Sequence, residues 1–356
     1  MAESTRTDLL YHVSINCVMD SEAIIRALPK LEQHVHIVGS TKPETLLWIL
    51  EDTGADSKLE TIEDVKNFFH YSDFNHFISV YSAVNDSITD EKYYKKITYE
   101  MLQSDAECSV RHVEAIFSAY DHVRRGLDFS KMVDNINKGI RKAKQDYGIS
   151  CTIRIDLVRN YGPSIGMDVL DLIEEKSENI VAIDIGGTED GYPPAPYKEV
   201  YERAKEMGLH LCAHAGEAAG LQSVWGAINH LNVDRLGHGT TAVKDPELLK
   251  VIAERGIGIE TCPVSNLRTG AISSIKNHPI RKFIAKDIKV SVNSDDPPMF
   301  NTDMNHEYLS LHSELGFTIQ ELFTISLNSI ETSFLTEKEK EQMKTNFLND
   351  YEKLTN

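Results

Sequence analysis

The sequence is poor in cysteine. Its five, Cys17, Cys108, Cys151, Cys212 and Cys262, are odd in number, far apart and never paired as Cys-x-x-Cys. That excludes a disulfide framework and a cysteine-ligated zinc site, and it predicts buried free thiols in a reducing compartment. Positive charge is also scarce: 37 Lys and Arg face 55 Asp and Glu, a formal net charge of −18. Such a field repels phosphate backbones and anionic membrane surfaces, so neither nucleic acid nor membrane is expected as a partner. A small neutral or cationic molecule fits better, and no basic cluster for a phosphate is evident. There is no apolar run long enough to span a membrane, and the polar segment Met1 to Asp8 lacks a signal core. A cytoplasmic protein is the expectation, and nothing in the chain sets an oligomeric state. No Gly-x-Gly-x-x-Gly opens the first helix, and Gly186-Gly187 is too little for a phosphate loop.

What is present is the material for a large core, with 41% hydrophobic and 26% charged residues in a chain of 356. After an N-terminal extension (1–28), with a short helix over Ser21 to Ala27, strands and helices alternate. The expected strands cover 31–38, 109–117, 151–158, 179–185, 209–213, 234–236, 256–260 and 288–293. Helices are expected at 43–54, 130–147 (capped by Ser130), 166–176, 196–207, 219–230 and 245–255, with three more over 305–315, 318–329 and 336–350. No hairpin-type Asn-Gly or Asp-Gly turn joins two strands. Eight such units predict a single domain over 1–356, a parallel (β/α)₈ barrel of TIM type. Residues 61–106 read as helical throughout, an insertion after strand 1. Within it Phe74, Phe77 and Tyr81 recur at helical spacing near Phe68, Phe69 and Tyr71, as helix packing or as a lid over a flat aromatic substrate.

In such a barrel the chemistry sits at the C-terminal ends of the strands. His34 and His36 are two apart on strand 1 and face the same side. His214 ends strand 5, His238 ends strand 6, and Asp295-Asp296 end strand 8. Two adjacent carboxylates at a strand end are costly unless a cation lies there. Three imidazoles and one carboxylate form a nitrogen/oxygen set that suits zinc with a position left for water, so His34, His36, His214 and Asp295 are the expected ligands. His238 is then free to accept the water's proton or to orient the hydroxide. Glu217, in the turn after His214, is placed as a general acid. Asp296 is expected to face substrate. The end of strand 4 (Asp184 to Glu189) offers no lysine to bridge a second metal, which favours one zinc per chain.

Taken in order, His34-Val35-His36, His214-Ala215-Gly216-Glu217, Leu236-Gly237-His238-Gly239, Cys262-Pro263-x-Ser265-Asn266 and Ser294-Asp295-Asp296-Pro297 resemble the motif series of adenosine deaminases and related purine deaminases. The resemblance implies a zinc-dependent barrel that hydrolyses the 6-amino group of an adenine-type ring with release of ammonia. It implies that Glu217 protonates ring N1, that His238 handles the proton of the attacking water, that Asp296 binds N7 and that the Gly187 amide binds N3. Adenosine and 2′-deoxyadenosine, converted to their inosine counterparts in purine salvage, are the expected substrates. Two positions depart from the pattern. Val38 stands where adenosine-specific members carry a ribose-binding aspartate and adenine-specific ones tend to carry glutamate, and Ile116 stands where many have arginine. Val38 opens an alternative: a related aminopurine, such as a 5′-modified adenosine (5′-methylthioadenosine, an aminofutalosine-like nucleoside), free adenine or an N6-substituted adenine derivative. A catalytically silent nucleoside-binding protein is the third reading.

Overall fold

The structure, a computed structural model, describes residues 20–54, 58–71 and 74–355. The segment Met1 to Asp8 and Cys17 lie outside the described residues.

Eight parallel strands run in sequence order: β1 Lys30–His36, β2 Val110–Phe117, β3 Ser150–Asp156, β4 Ile180–Asp184, β5 His210–Ala215, β6 Arg235–His238, β7 Gly258–Thr261 and β8 Val290–Val292. Each pairs with the next, and a parallel bridge between Val35 and Asp295 joins the last strand to the first. The Asp295 amide donates to the His34 carbonyl (3.0 Å) and the His36 amide to the Asp295 carbonyl (2.9 Å), so the closing seam runs through the residues of interest. This is the expected (β/α)₈ barrel. Buried Val, Ile and Leu from the strands pack against the surrounding helices, which is why these strands read as continuous apolar runs.

Helix boundaries follow local chemistry. The helix Pro43–Thr53 opens with proline in its first turn and closes on Gly54 at φ 64°. Phe129–Tyr147 is capped by Asp128, which accepts from the Lys131 amide; Ser130, the expected cap, lies inside the helix. The stretch 219–230 divides into an α-helix, Leu221–Gly226, and a π-turn, Ala227–Leu231. The insertion forms three helices, Ile62–Phe68, Phe74–Ser87 and Tyr93–Glu107. Cys108, Cys151, Cys212 and Cys262 are buried and unpaired, as their spacing predicts. Among the described residues no helix is long and apolar enough to cross a membrane.

Candidate active site

The strand ends bring together His34, His36, His214, His238, Asp295 and Asp296. The His34 ring centroid lies 5.5 Å from that of His36, 4.5 Å from His214 and 4.8 Å from His238. Asp295 Oδ1 is 3.3 Å from His36 Nε2 and 3.7 Å from His34 Nε2. Ligand atoms of His34, His36 and His214 fall within 4.8 Å of one another, as do those of His34, His238 and Asp295. His238 and Asp295 both adopt left-handed backbone conformations, at φ 62° and 67°. Neither is glycine, so both carry backbone strain of the kind that collects at functional sites.

His34 is the most constrained of the candidate ligands. Its Nδ1 lies 2.8 Å from Glu260 Oε2, while its Nε2 is buried with no partner among the described residues. Burial, with His214 nearby, depresses its pKa to about 3, so the ring is neutral and Nε2 carries a lone pair. A buried lone pair aimed at a carboxylate needs a cation between them. His214 Nδ1 likewise faces Asp184 Oδ1 at 3.2 Å. Burial works against a charged Asp295, yet the surrounding histidines hold its pKa below the carboxylate range. Burial and the neighbouring Asp295 push Asp296 upward. Three imidazoles with an ionised carboxylate therefore fit a divalent zinc ion, and two of them, His34 and His214, face carboxylates that orient them from behind.

Those supporting carboxylates were not singled out in the sequence. They belong to an ion network inside the barrel. Arg154 Nη1 lies 2.6 Å from Glu260 Oε1 and its Nη2 3.0 Å from Asp184 Oδ2. Arg235 reaches Glu260 Oε1 at 2.7 Å through Nε and pairs with Glu114 through Nη2. Three carboxylates face two guanidinium groups and, at Asp184, the ring of His214, a set whose negative charge a divalent cation would offset. The available signal was a charge inside an apolar strand, such as Arg154 between Ile153 and Ile155 or Glu260 after Ile259.

Around the catalytic candidates the bonds are directional. The Ile280 amide donates to His278 Nδ1, so the neutral His278 carries its proton on Nε2, 3.2 Å from Asn266 Oδ1. The Asn266 amide nitrogen then faces His238 Nδ1 at 3.0 Å and donates to it. His238 consequently holds its proton on Nε2, which lies 3.5 Å from Glu217 Oε2 and 3.9 Å from Asp295 Oδ2. Thr269 Oγ1 donates to Glu217 Oε1 (2.9 Å), and Ser265 Oγ to Asp295 Oδ2 (2.6 Å). The turn that presents Glu217 is clamped by Glu189, another residue not anticipated. Its carboxylate accepts from the amides of Gly216, Glu217, Ala218 and Ala219. Burial opposes the Glu189 charge, but Ser223 and these amides hold its pKa down.

Two glycines are required by close approach. A Cβ on Gly39 would overlap the Asp296 carboxylate, and Asp296 Oδ1 is buried without a hydrogen-bond partner among the described residues. Gly187 sits at φ 82° against Asn160 Oδ1, beside a Gly186 whose amide is held by Asp156. Val38 is buried at 2% exposure, with its carbonyl taken by Thr41. Ile116 pairs with His36 across β1 and β2. Within the insertion, Phe77 stacks on Phe300 with ring centroids 4.8 Å apart, next to Tyr71. The Phe74 side chain lies outside the described residues.

Comparison with known proteins agrees with this geometry. The family described as Adenosine deaminase matches residues 29–349. The chain is 37% identical over 320 residues to an aminodeoxyfutalosine deaminase of Streptomyces coelicolor, covering 89% of this chain and 82% of that protein. It is 30% identical over 323 residues to an adenine deaminase of Acinetobacter baylyi, covering 91% and 97%. Among solved structures, an adenine deaminase from Arthrobacter aurescens superposes with a TM-score of 0.86 at 27% identity, covering 92% and 98%. An amidohydrolase from Burkholderia ambifaria with bound Zn superposes at 0.87 with 26% identity, covering 96% of each chain.

Proposed function

This chain belongs to the adenosine deaminase family, and we propose that it is a zinc-dependent aminopurine deaminase whose substrate is a 5′-modified adenine nucleoside. The observation that carries the substrate is Val38. It is buried and apolar where a ribose-binding carboxylate would otherwise stand, so a 5′-hydroxyl would lose its hydrogen bond there and an apolar substituent would gain by burial. The name of the Streptomyces coelicolor relative, an aminodeoxyfutalosine deaminase, points the same way. The expectation of adenosine and 2′-deoxyadenosine therefore gives way to its alternative. Free adenine is the second reading, favoured by the name of the Acinetobacter baylyi relative.

In this proposal His34, His36, His214 and Asp295 hold one zinc per chain. When bound, zinc supplies a Lewis acid that makes water nucleophilic near neutral pH. The remaining steps belong to side chains. Glu217 delivers a proton to ring N1, which draws electron density from C6 as the aromatic ring is attacked. His238, with its proton on Nε2, donates to the attacking oxygen and orients it; of the two roles open to this histidine, the Asn266–His278 chain supports this one. Asp295 Oδ2 accepts the water's proton. Asp296, held neutral by burial and by Asp295, donates to N7, and the Gly187 amide donates to N3. Water contributes the 6-oxo oxygen; one of its hydrogens leaves with the amino group as ammonia, and the other restores the proton of Glu217, whose own proton stays on N1 of the product.

The test combines metal content with a substrate panel. Purified protein is expected to hold one zinc by mass spectrometry. It should release ammonia from 5′-deoxyadenosine and 5′-methylthioadenosine with kcat/KM at least equal to that for adenosine. A preference for adenosine above tenfold sinks the substrate assignment, and absence of both zinc and turnover on every adenine compound sinks the enzyme. Glu217→Gln should keep its zinc and lose most of kcat, and unchanged turnover would remove Glu217 from its role as acid.

A further inference from the structure

A cavity of about 800 Å³ lies against the turn that follows Asp296. Pro297 to Phe300 form one wall, and that turn begins at the residue after Asp296, about 3.8 Å away in Cα terms. Tyr71 lines it too, and its phenol lies in the field of Arg268, Asp296 and Asp295. The Tyr71 hydroxyl is buried with no partner among the described residues. One wall of the cavity thus starts at the residue after Asp296, the proposed ring-binding group.

Its charge is the reverse of the molecule's. In a chain of net −18 the lining gathers Arg26, Lys66 and Arg268, with His70 and His306, against one carboxylate, Asp303. Arg26 is paired with Glu22 at 2.7 Å. Among the described residues, Lys66 and Arg268 have no ion-pair partner. His70 uses Nδ1 on the Lys66 carbonyl (2.8 Å) and His306 uses Nδ1 near Thr302 Oγ1 (3.2 Å), so both keep Nε2 for a ligand. No basic cluster is evident in the sequence because these residues come from segments about 200 positions apart. Between the cations the walls are aromatic: Phe69, Phe300 and Tyr71, with the Tyr71 and Phe300 rings 6.3 Å apart. Aromatic walls take a flat apolar stem, and unpaired cations take an anion.

We infer that this cavity receives an arm on the sugar end of the nucleoside, with a flat apolar stem and an anionic terminus held by Lys66 and Arg268. The inference rests on the aminopurine nucleoside reading above and adds the chemistry of the 5′ substituent. A carboxylate and a phosphate share the required charge, and they differ in where the charge lies relative to the sugar.

The test uses 6-oxo compounds, which the enzyme cannot consume. Dissociation constants are measured by calorimetry for inosine bearing a 5′-(4-carboxybenzyl)thio arm, for its neutral carboxamide and for inosine 5′-phosphate. The acid is expected to bind at least tenfold tighter than the carboxamide. That advantage should shrink in 0.5 M salt and fall below threefold in the Lys66→Gln/Arg268→Gln double variant, whose native fold is checked by circular dichroism. Equal binding of acid and carboxamide overturns the inference, as does an advantage that survives in the double variant. Tighter binding of the 5′-phosphate than of the long acid overturns the arm, because the anion would then sit next to the sugar. Ammonia release from the matching 6-amino compounds is followed in parallel. Release without an acid preference overturns the arm alone. No release from any of them overturns the deaminase reading, while the binding ratio still decides the arm.

Discussion

Glu260 Oε2 lies 2.8 Å from His34 Nδ1, and the same carboxylate is 2.6 Å from Arg154 and 2.7 Å from Arg235. One buried acid thus fixes the ring of the proposed metal ligand His34 and anchors two guanidinium groups in the barrel interior. Replacing it by the isosteric amide, Glu260→Gln, is expected to weaken zinc binding about 10–100-fold, measured by competition with a chelator. The two arginines lose their shared anion, so thermal stability should fall as well, by about 3–5 kcal/mol. Zinc affinity equal to wild type would show that His34 needs no orienting carboxylate.

Gly39 underlies Asp296 so closely that a methyl group cannot be added without moving the carboxylate. Gly39→Ala is expected to cost roughly a hundredfold in kcat/KM, the scale of a displacement of about 1 Å in a positioned group. Zinc content should be unchanged, because Asp296 is outside the ligand set. Loss of zinc together with activity would mean that the substitution had disturbed the β1–β8 seam instead.

Glu189 holds four consecutive amides of the turn that carries Glu217. Glu189→Gln replaces one acceptor oxygen with a donor facing those N–H groups. We expect kcat to fall at least tenfold with zinc retained, since the acid would no longer be held in place. Kinetics indistinguishable from wild type would show that the turn keeps its shape unaided.

Glu307 is buried, accepts hydrogen bonds from Thr302 Oγ1 (2.9 Å) and the Val264 amide (3.1 Å), and has its pKa pushed up to about 8 by burial. Its folded-state pKa thus exceeds the unfolded value of about 4.3. The contribution is fully present below the unfolded pKa and is lost as pH rises toward 8, because the folded state then binds the proton that the unfolded state has released. Glu307→Gln cannot titrate. Denaturant unfolding of both proteins between pH 4.5 and 8 should show the variant gaining stability relative to wild type as pH rises. A constant difference across that window would mean that Glu307 is ionised when folded.

The sequence by itself determined the eight-strand alternation, because apolar runs of strand length separated by helical periodicity allow few other arrangements. It also determined the set His34, His36, His214, His238, Asp295 and Asp296. Each is a metal-binding or acidic side chain at the end of an apolar run, and the barrel places all such ends on one rim. Boundaries were less legible, as at Asp128, where two neighbouring polar residues could each cap and only the backbone geometry selected one. Tertiary structure alone decided which charges support the site. Glu114, Arg154, Asp184, Arg235 and Glu260 lie on five different strands, and only barrel closure brings them into contact. It alone decided that Lys66 and Arg268 line the same cavity, so that a strongly acidic chain offers a local positive site. The physical reason is common to both cases. Strand periodicity is a local property of the chain, whereas Coulombic and close-packing relations depend on distances between residues far apart in sequence, which folding sets.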